Sequence, residues 1–308
     1  MKANKLMGQN FLTSQKVVED IIKASDIKSD DVILEVGPGK GFLTEALLSK
    51  VKKGGKVIAV EKDQRLFEFL QKRFSQEIEN GKLELILGDI LKYDVRDLIA
   101  SIKKAFQSPK GGEQRCEKSP LGGGAFSLEM EKVVSYKVVA NIPYYLTSHL
   151  LRKFLESEKQ PEIIVVMVQK EVAERIACFA RRGCSPKESV LSVSIKIYGE
   201  PEIVRLVGAE HFKPKPKVDS AVLKIKNISR DFFTKNRIEE KDFFKVVKTG
   251  FLSRRKKLKN NLSNVFAQDV VLDSFDKCGI EDGVRAEHLN VQNWACLSKE
   301  LKQKTKMA

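Results

Sequence analysis

The run Val32-Ile-Leu-Glu-Val-Gly-Pro-Gly-Lys-Gly41 leaves this chain few ways to fold. Val32, Ile33, Leu34 and Val36 are apolar and bounded by a turn, the pattern of a buried strand. Gly37, Gly39 and Gly41 let that turn lie against a ligand with no Cβ in the way. From Phe42 to Val51, Leu43, Ala46, Leu47 and Val51 recur at helical spacing. Strand, glycine turn and helix open a nucleotide-binding α/β fold. The spacing is G-x-G-x-G, not the dinucleotide G-x-G-x-x-G, and a tight turn in any α/β domain would also satisfy it.

Two further strand tips narrow the ligand. Lys56 to Val60 ends in Glu61, and a carboxylate there accepts hydrogen bonds from both ribose hydroxyls. Leu83 to Leu87 ends in Gly88-Asp89, an acid placed to meet an adenine amino group. S-adenosylmethionine and NAD both fit these tips. The strand Tyr136 to Ala140 ends in a fourth motif, Asn141-Ile-Pro-Tyr144. A proline turn with a packed tyrosine is the bland reading. The chemical reading is more specific. An adenine amine is a poor nucleophile because its lone pair is delocalised into the ring. The Asn141 side-chain oxygen and the backbone carbonyl of the next residue can accept both its hydrogens and free the lone pair. Pro143 fixes the backbone that aims the carbonyl, and Tyr144 offers a face for a flipped base. Preorganised acceptors then stabilise the charge developing on nitrogen. That chemistry selects S-adenosylmethionine as the cofactor.

Lys5-Leu-Met-Gly-Gln-Asn-Phe-Leu12, Glu35 to Gly41, Glu61, Gly88-Asp89, Asn141 to Tyr144 and Phe212-Lys-Pro-Lys-Pro-Lys-Val-Asp-Ser220 occur in this order over nearly the whole chain. Together they resemble the KsgA-type ribosomal RNA adenine dimethyltransferases. The resemblance implies an α/β fold: a Rossmann-like class I methyltransferase sheet with a small all-helical C-terminal domain. It implies a methyltransferase domain over residues 1–228 and a helical RNA-binding domain over 232–308. The activity implied is dimethylation of two adjacent adenines in the 3'-terminal hairpin of small-subunit rRNA. Asn10 and Leu12 would touch the cofactor from an N-terminal arm, beside Gly37, Gly39, Glu61, Asp89 and Asn141. Phe212 would oppose Tyr144 across the base. The departure from the family is a glycine-rich insert near residues 103–132, expected to be a flexible surface loop. Three rivals remain: an Erm-type large-subunit rRNA methylase, a nucleic-acid-binding relative without catalysis, and an NAD-dependent oxidoreductase. The last leaves Asn141 to Tyr144 unexplained.

A net charge of +15 over 308 residues points to a polyanionic partner, and the resemblance makes it small-subunit rRNA. Lys213, Lys215 and Lys217 in a proline-stiffened loop suit phosphates. So do Arg254, Arg255 and Lys256, since arginine grips phosphate bidentately. Asp63 is placed to cap the helix after Glu61. Ser189 to Tyr198 reads equally as helix or strand. No apolar run reaches the length of a membrane span, and no signal peptide opens the chain. The five cysteines lack a C-x-x-C pair and read as reduced thiols of a cytoplasmic protein. The three histidines are scattered, so no metal is expected. The chain is expected to be monomeric.

Overall fold

A computed structural model describes residues 8–52, 54–98, 135–177 and 187–305. The insert expected at 103–132, the first residues of the arm, and Cys116, Cys178 and Cys184 lie outside the described residues. The described residues form nine strands: β1 (Phe11–Leu12), β2 (Val32–Val36), β3 (Lys56–Glu61), β4 (Leu83–Leu87), β5 (Tyr136–Ala140), β6 (Ile163–Gln169), β7 (Glu200–Val207), β8 (Phe212–Lys213) and β9 (Ser220–Lys226). Seven of them make one sheet in the order β4-β3-β2-β5-β6-β9-β7. The first five run parallel, and β9 and β7 add an antiparallel edge. This is the Rossmann-like arrangement that the resemblance implies. β2, β3 and β5 are buried along their whole length because helices cover both faces. Their sequences therefore run continuously apolar instead of alternating.

Val36 pairs with Val60 on one side and with Ala140 on the other. The turns that follow these three residues thus leave the sheet at one level. Strand order reverses between β2 and β5, which opens the crevice where α/β sheets hold ligands.

Helix Gln15–Ala24 buries Val17, Val18, Ile21 and Ile22, as its spacing requires. Helix Phe42–Lys50 buries Leu43, Thr44, Leu47 and Leu48, so Ala46 of the expected face lies only half-buried. Asp63 caps helix Gln64–Arg73 by accepting the Arg65 N–H. Ser189 to Tyr198 is settled as helix Val190–Tyr198, opened by a reciprocal Ser189–Ser192 capping box. Its apolar run was ambiguous because most of the helix is buried.

Neighbouring residues of a strand feed opposite cores. Ile33, Val139 and Val165 face the core containing Val17, Ile21 and Leu47. Leu34, Val138 and Val166 face a larger core that continues through Tyr198 into Phe243, Phe275 and Trp294 of the C-terminal helices. Tyr198 joins the two parts. Its ring lies 5.6 Å from Phe233 and 6.2 Å from Phe244, and its hydroxyl donates to Glu240 Oε1 at 2.5 Å. The C-terminal helices are Glu240–Gly250, Leu258–Leu262, Gln268–Lys277 and Val291–Thr305, preceded by Asp231–Asn236. Cys278 and Cys296 form a disulfide with Cα atoms 5.7 Å apart, which corrects the reading of all five cysteines as thiols. The pair is 18 residues apart and meets only because two helices pack, so no local spacing announces it. No helix among the described residues is long and apolar enough to cross a membrane.

Phe243 is fully buried, with its ring 5.6–5.8 Å from those of Phe232, Phe233 and Phe244. Phe243→Ala should destabilise the protein by about 3–5 kcal/mol, the usual cost of emptying a packed aromatic site. Urea unfolding followed by circular dichroism measures this, and one shared core predicts one transition.

Candidate cofactor and base site

The turn after β2 adopts left-handed backbone at Gly37 (φ +70°) and Gly39 (φ +60°). A Cβ on Gly39 would lie 3.1 Å from the Phe11 ring, so glycine is needed for both the backbone and the close approach. The Gly39 N–H donates to Glu61 Oε2 at 3.1 Å, and the Asp63 N–H donates to Oε1 at 2.9 Å. A carboxylate has about four acceptor directions, so one held by backbone donors can still take a ribose hydroxyl. Burial pushes the Glu61 carboxyl up, opposed by these backbone donors. Asp89 accepts the Leu91 N–H at 3.0 Å and pairs with Lys62 at 2.9 Å. The Lys62 ammonium holds its pKa down, so Asp89 stays ionised.

An arm from Gly8 to Thr13 roofs the crevice and is fastened at both ends. Gln9 Nε2 donates to Asp63 Oδ2 at 3.0 Å. Further along, β1 pairs with β8, setting Leu12 opposite Phe212 and Phe11 opposite Lys213, and the Thr13 N–H donates to the His211 carbonyl at 2.9 Å. Lys40 of the glycine turn sits over the Phe11 ring, its Nζ 5.0 Å from the centroid. The arm therefore brings Asn10, Leu12 and Phe212 to one wall.

The resulting cleft encloses about 1080 Å³, counted out to its solvent mouth. It gathers every residue expected to bind cofactor or carry chemistry: Asn10, Leu12, Gly37, Gly39, Glu61, Asp89, Asn141, Pro143, Tyr144 and Phe212. Asn141 is half-buried at this cleft. The Tyr144 hydroxyl is tied to Ser220 Oγ at 2.7 Å, which fixes the plane of its ring. The basic residues lie elsewhere. Lys213, Lys215 and Lys217 are exposed and do not line the cleft, and Arg254, Arg255 and Lys256 are exposed beside the C-terminal helices.

Sequence reasoning gave Glu35 no separate role, and it also lines this cleft. It is 1% exposed, and neither carboxylate oxygen has a hydrogen-bond partner among the described residues. Burial drives its pKa from 4.5 to about 8; the nearby Thr44 hydroxyl opposes the shift and the Glu61 charge adds to it. A buried acid with no partner costs stability unless it stays protonated or meets a cation. The signal was legible: one carboxylate inside the apolar run Val32 to Val36.

The raised pKa means that the folded chain holds one more proton than the unfolded chain between pH 4.5 and about 8. Its contribution to stability is therefore full below 4.5 and is lost as pH rises toward 8. Glu35→Gln should flatten that decline in the ligand-free protein. Thermal unfolding across this range measures it, and parallel curves for the two proteins would contradict the assignment.

The family model described as ribosomal RNA adenine dimethylase matches residues 1–303. A protein of Dehalococcoides mccartyi named ribosomal RNA small subunit methyltransferase A is 38% identical over 302 residues, covering 97% of this chain and 89% of that protein. A protein of the same name from Fusobacterium nucleatum is 34% identical, with 97% of each chain covered. Among solved structures, a dimethyladenosine transferase from Plasmodium falciparum superposes with a TM-score of 0.69 at 25% identity, covering 96% of this chain and 98% of that one. The 23S rRNA methyltransferase ErmE superposes with a TM-score of 0.62 at 22% identity, covering 96% and 100%, and shares the fold. With its sheet order, its cleft and a family match across almost its full length, the chain belongs to the ribosomal RNA adenine dimethylase family.

Proposed function

We propose that this chain transfers methyl groups from S-adenosylmethionine to the exocyclic amines of two adjacent adenines in the 3'-terminal hairpin of small-subunit rRNA. The observation that carries the reading is the half-buried Asn141, set in one cleft with Tyr144, Phe212 and the Glu61 carboxylate. The names of the curated relatives favour the small subunit over the large one.

The donor fits the residues present. Glu61 suits the ribose diol, and Asp89 suits the adenine amine. Glu35, buried with no hydrogen-bond partner among the described residues, suits a cationic amino group that would draw its proton off. Asn10, Leu12, Gly37 and Gly39 complete the cradle. When bound, S-adenosylmethionine supplies a methyl group made electrophilic by its attachment to a sulfonium.

Tyr144 and Phe212 hold the target base, and Pro143 sets the backbone that aims the carbonyl of residue 142. Asn141 Oδ1 and that carbonyl each accept one amine hydrogen, which draws the nitrogen toward tetrahedral geometry and exposes its lone pair. Charge appears on nitrogen as the new bond forms, and these fixed acceptors stabilise it without reorganising. The surplus proton leaves to solvent, so no strong base is needed. An already methylated amine retains one N–H, and one acceptor suffices to hold it for the second transfer.

Asn141→Ala should keep cofactor affinity and lose about 10²–10³-fold in turnover, the usual scale for removing one preorganised electrostatic contact. Glu61→Ala should weaken the cofactor first, by at least about tenfold, since it removes hydrogen bonds to a charged group. Labelled methyl transfer to unmethylated small subunits and to large-subunit RNA, with nucleoside identification, tests both variants and the substrate. Dimethyladenosine in the small subunit supports the reading. Label in the large subunit alone would replace it with the resistance-type activity, and undiminished turnover in Asn141→Ala would remove the mechanism.

A further inference from the structure

The basic run Arg254-Arg-Lys-Lys257 is mounted on a loop that the Cys278–Cys296 disulfide closes. Just before the run, the Phe251 ring stacks on Trp294 with centroids 5.5 Å apart, and Trp294 is fully buried. Just after it, the Leu258 N–H donates to the Val284 carbonyl at 2.8 Å, and Lys259 pairs with Asp282 at 2.6 Å. Asn261 Nδ2 ties the two ends together, donating to the Gly250 carbonyl at 2.6 Å and to the Ser253 carbonyl at 3.0 Å. Asp282, Val284 and Trp294 all fall between the two cysteines in sequence. Both cysteines are only half-buried, so a thiol can reach a sulfur. The helices that they join keep a core of their own: Phe275 of one and Leu297 and Leu301 of the other are fully buried. Opening the bond therefore loosens the loop without emptying the core.

We infer that Cys278 and Cys296 form a reversible redox site that sets how firmly the basic run is held, and through it the affinity for RNA. The inference rests on the function proposed above, which supplies the RNA. A dithiol reductant attacks one sulfur; the S–S bond breaks, leaving a mixed disulfide and one cysteine thiol. The reductant's second thiol then displaces the other cysteine. Two electrons and two protons pass to the protein, and the reductant leaves as a cyclic disulfide. Attack by a cysteine thiolate on an oxidised thiol compound reverses the exchange. With the bond intact, the closed loop has few open states to visit, on the chain-entropy account of cross-links. Reduced, it opens more often, and each opening releases the supports at Trp294 and Val284 together. Affinity for RNA falls with the fraction of chains in which the run is held. The cofactor cleft is lined by residues from Gly8 to Phe212, outside this loop, and keeps its affinity.

The test uses the full chain. Peptide mapping without reductant should recover Cys278 and Cys296 in one linked fragment. Dithiothreitol should then speed exchange of the Leu258 amide hydrogen by roughly 10²-fold, the loop-closure factor for a ring of this size. It should also raise the Kd for unmethylated small subunits at least about threefold, with affinity for S-adenosylmethionine unchanged. Glutathione disulfide should restore both values. Cys278→Ser with Cys296→Ser should show the reduced values with or without dithiothreitol, which separates this pair from the other three cysteines. No linked fragment even after glutathione disulfide would overturn the inference. So would identical exchange and Kd in the two redox states, or a double variant that still responds to reductant. If the chain neither binds nor methylates small-subunit RNA in either state, the proposed function fails, while the Leu258 exchange still decides whether the bond holds the run.

Discussion

The register of three parallel strands is the constraint on which the site depends. Val36 lies level with Val60 and Ala140. Because of that, the glycine turn, Glu61 and Asn141 meet at one edge of the sheet although they are far apart in sequence. A slip of one residue in any of these strands would turn every side chain to the other face and exchange the two cores. Full burial on both faces makes such a slip costly. The precision of the cleft is thus a consequence of packing remote from it: Ile33 and Val139 fix one core while Leu34 and Val138 fix the other.

On this frame the short β1–β8 ladder ties two functions together. It sets Leu12, on the roof of the cofactor cradle, directly opposite Phe212, on the wall assigned to the base. Gln9 fastens the same arm to Asp63, and the Asp63 N–H in turn fixes Glu61. In the proposed reaction, ordering of the arm over the donor and ordering of the base wall are then one event. The Lys40–Phe11 contact adds a third fastening, and it uses a residue inside the glycine turn itself.

Most of this was legible in the sequence because the signals were local. A glycine turn after an apolar strand, acids at strand tips and a proline-fixed Asn-Ile-Pro-Tyr each announce their place without help from the rest of the chain. What was not legible depended on tertiary packing. Val190–Tyr198 could not be distinguished as a helix because burial had removed its amphipathic pattern. The half-buried Ala46 and the buried Thr44 show the same loss of pattern by one position. The Cys278–Cys296 bond joins residues that only helix packing brings together. Glu35 stood in plain view, but its significance came from lacking any partner, which a sequence does not state.

Charge is divided between inside and outside in a way that follows the same logic. The chain is strongly basic, yet the titratable side chains reaching into the cleft beside the cofactor residues include Glu35, Glu61 and Asp89. Lys40 and Lys62 line it as well, and Lys62 pairs with Asp89, which leaves Glu35 and Glu61 as the carboxylates a cationic ligand would meet. A basic exterior, with Lys213, Lys215 and Lys217 on one loop and Arg254 to Lys257 beside another, favours a polyanion. Glu35 sharpens the discrimination. Burial favours its protonated form in the empty cleft, and a cation lodged beside it would favour ionisation. In the proposed reaction, a cationic small molecule and an anionic macromolecule would then meet this chain at adjoining positions.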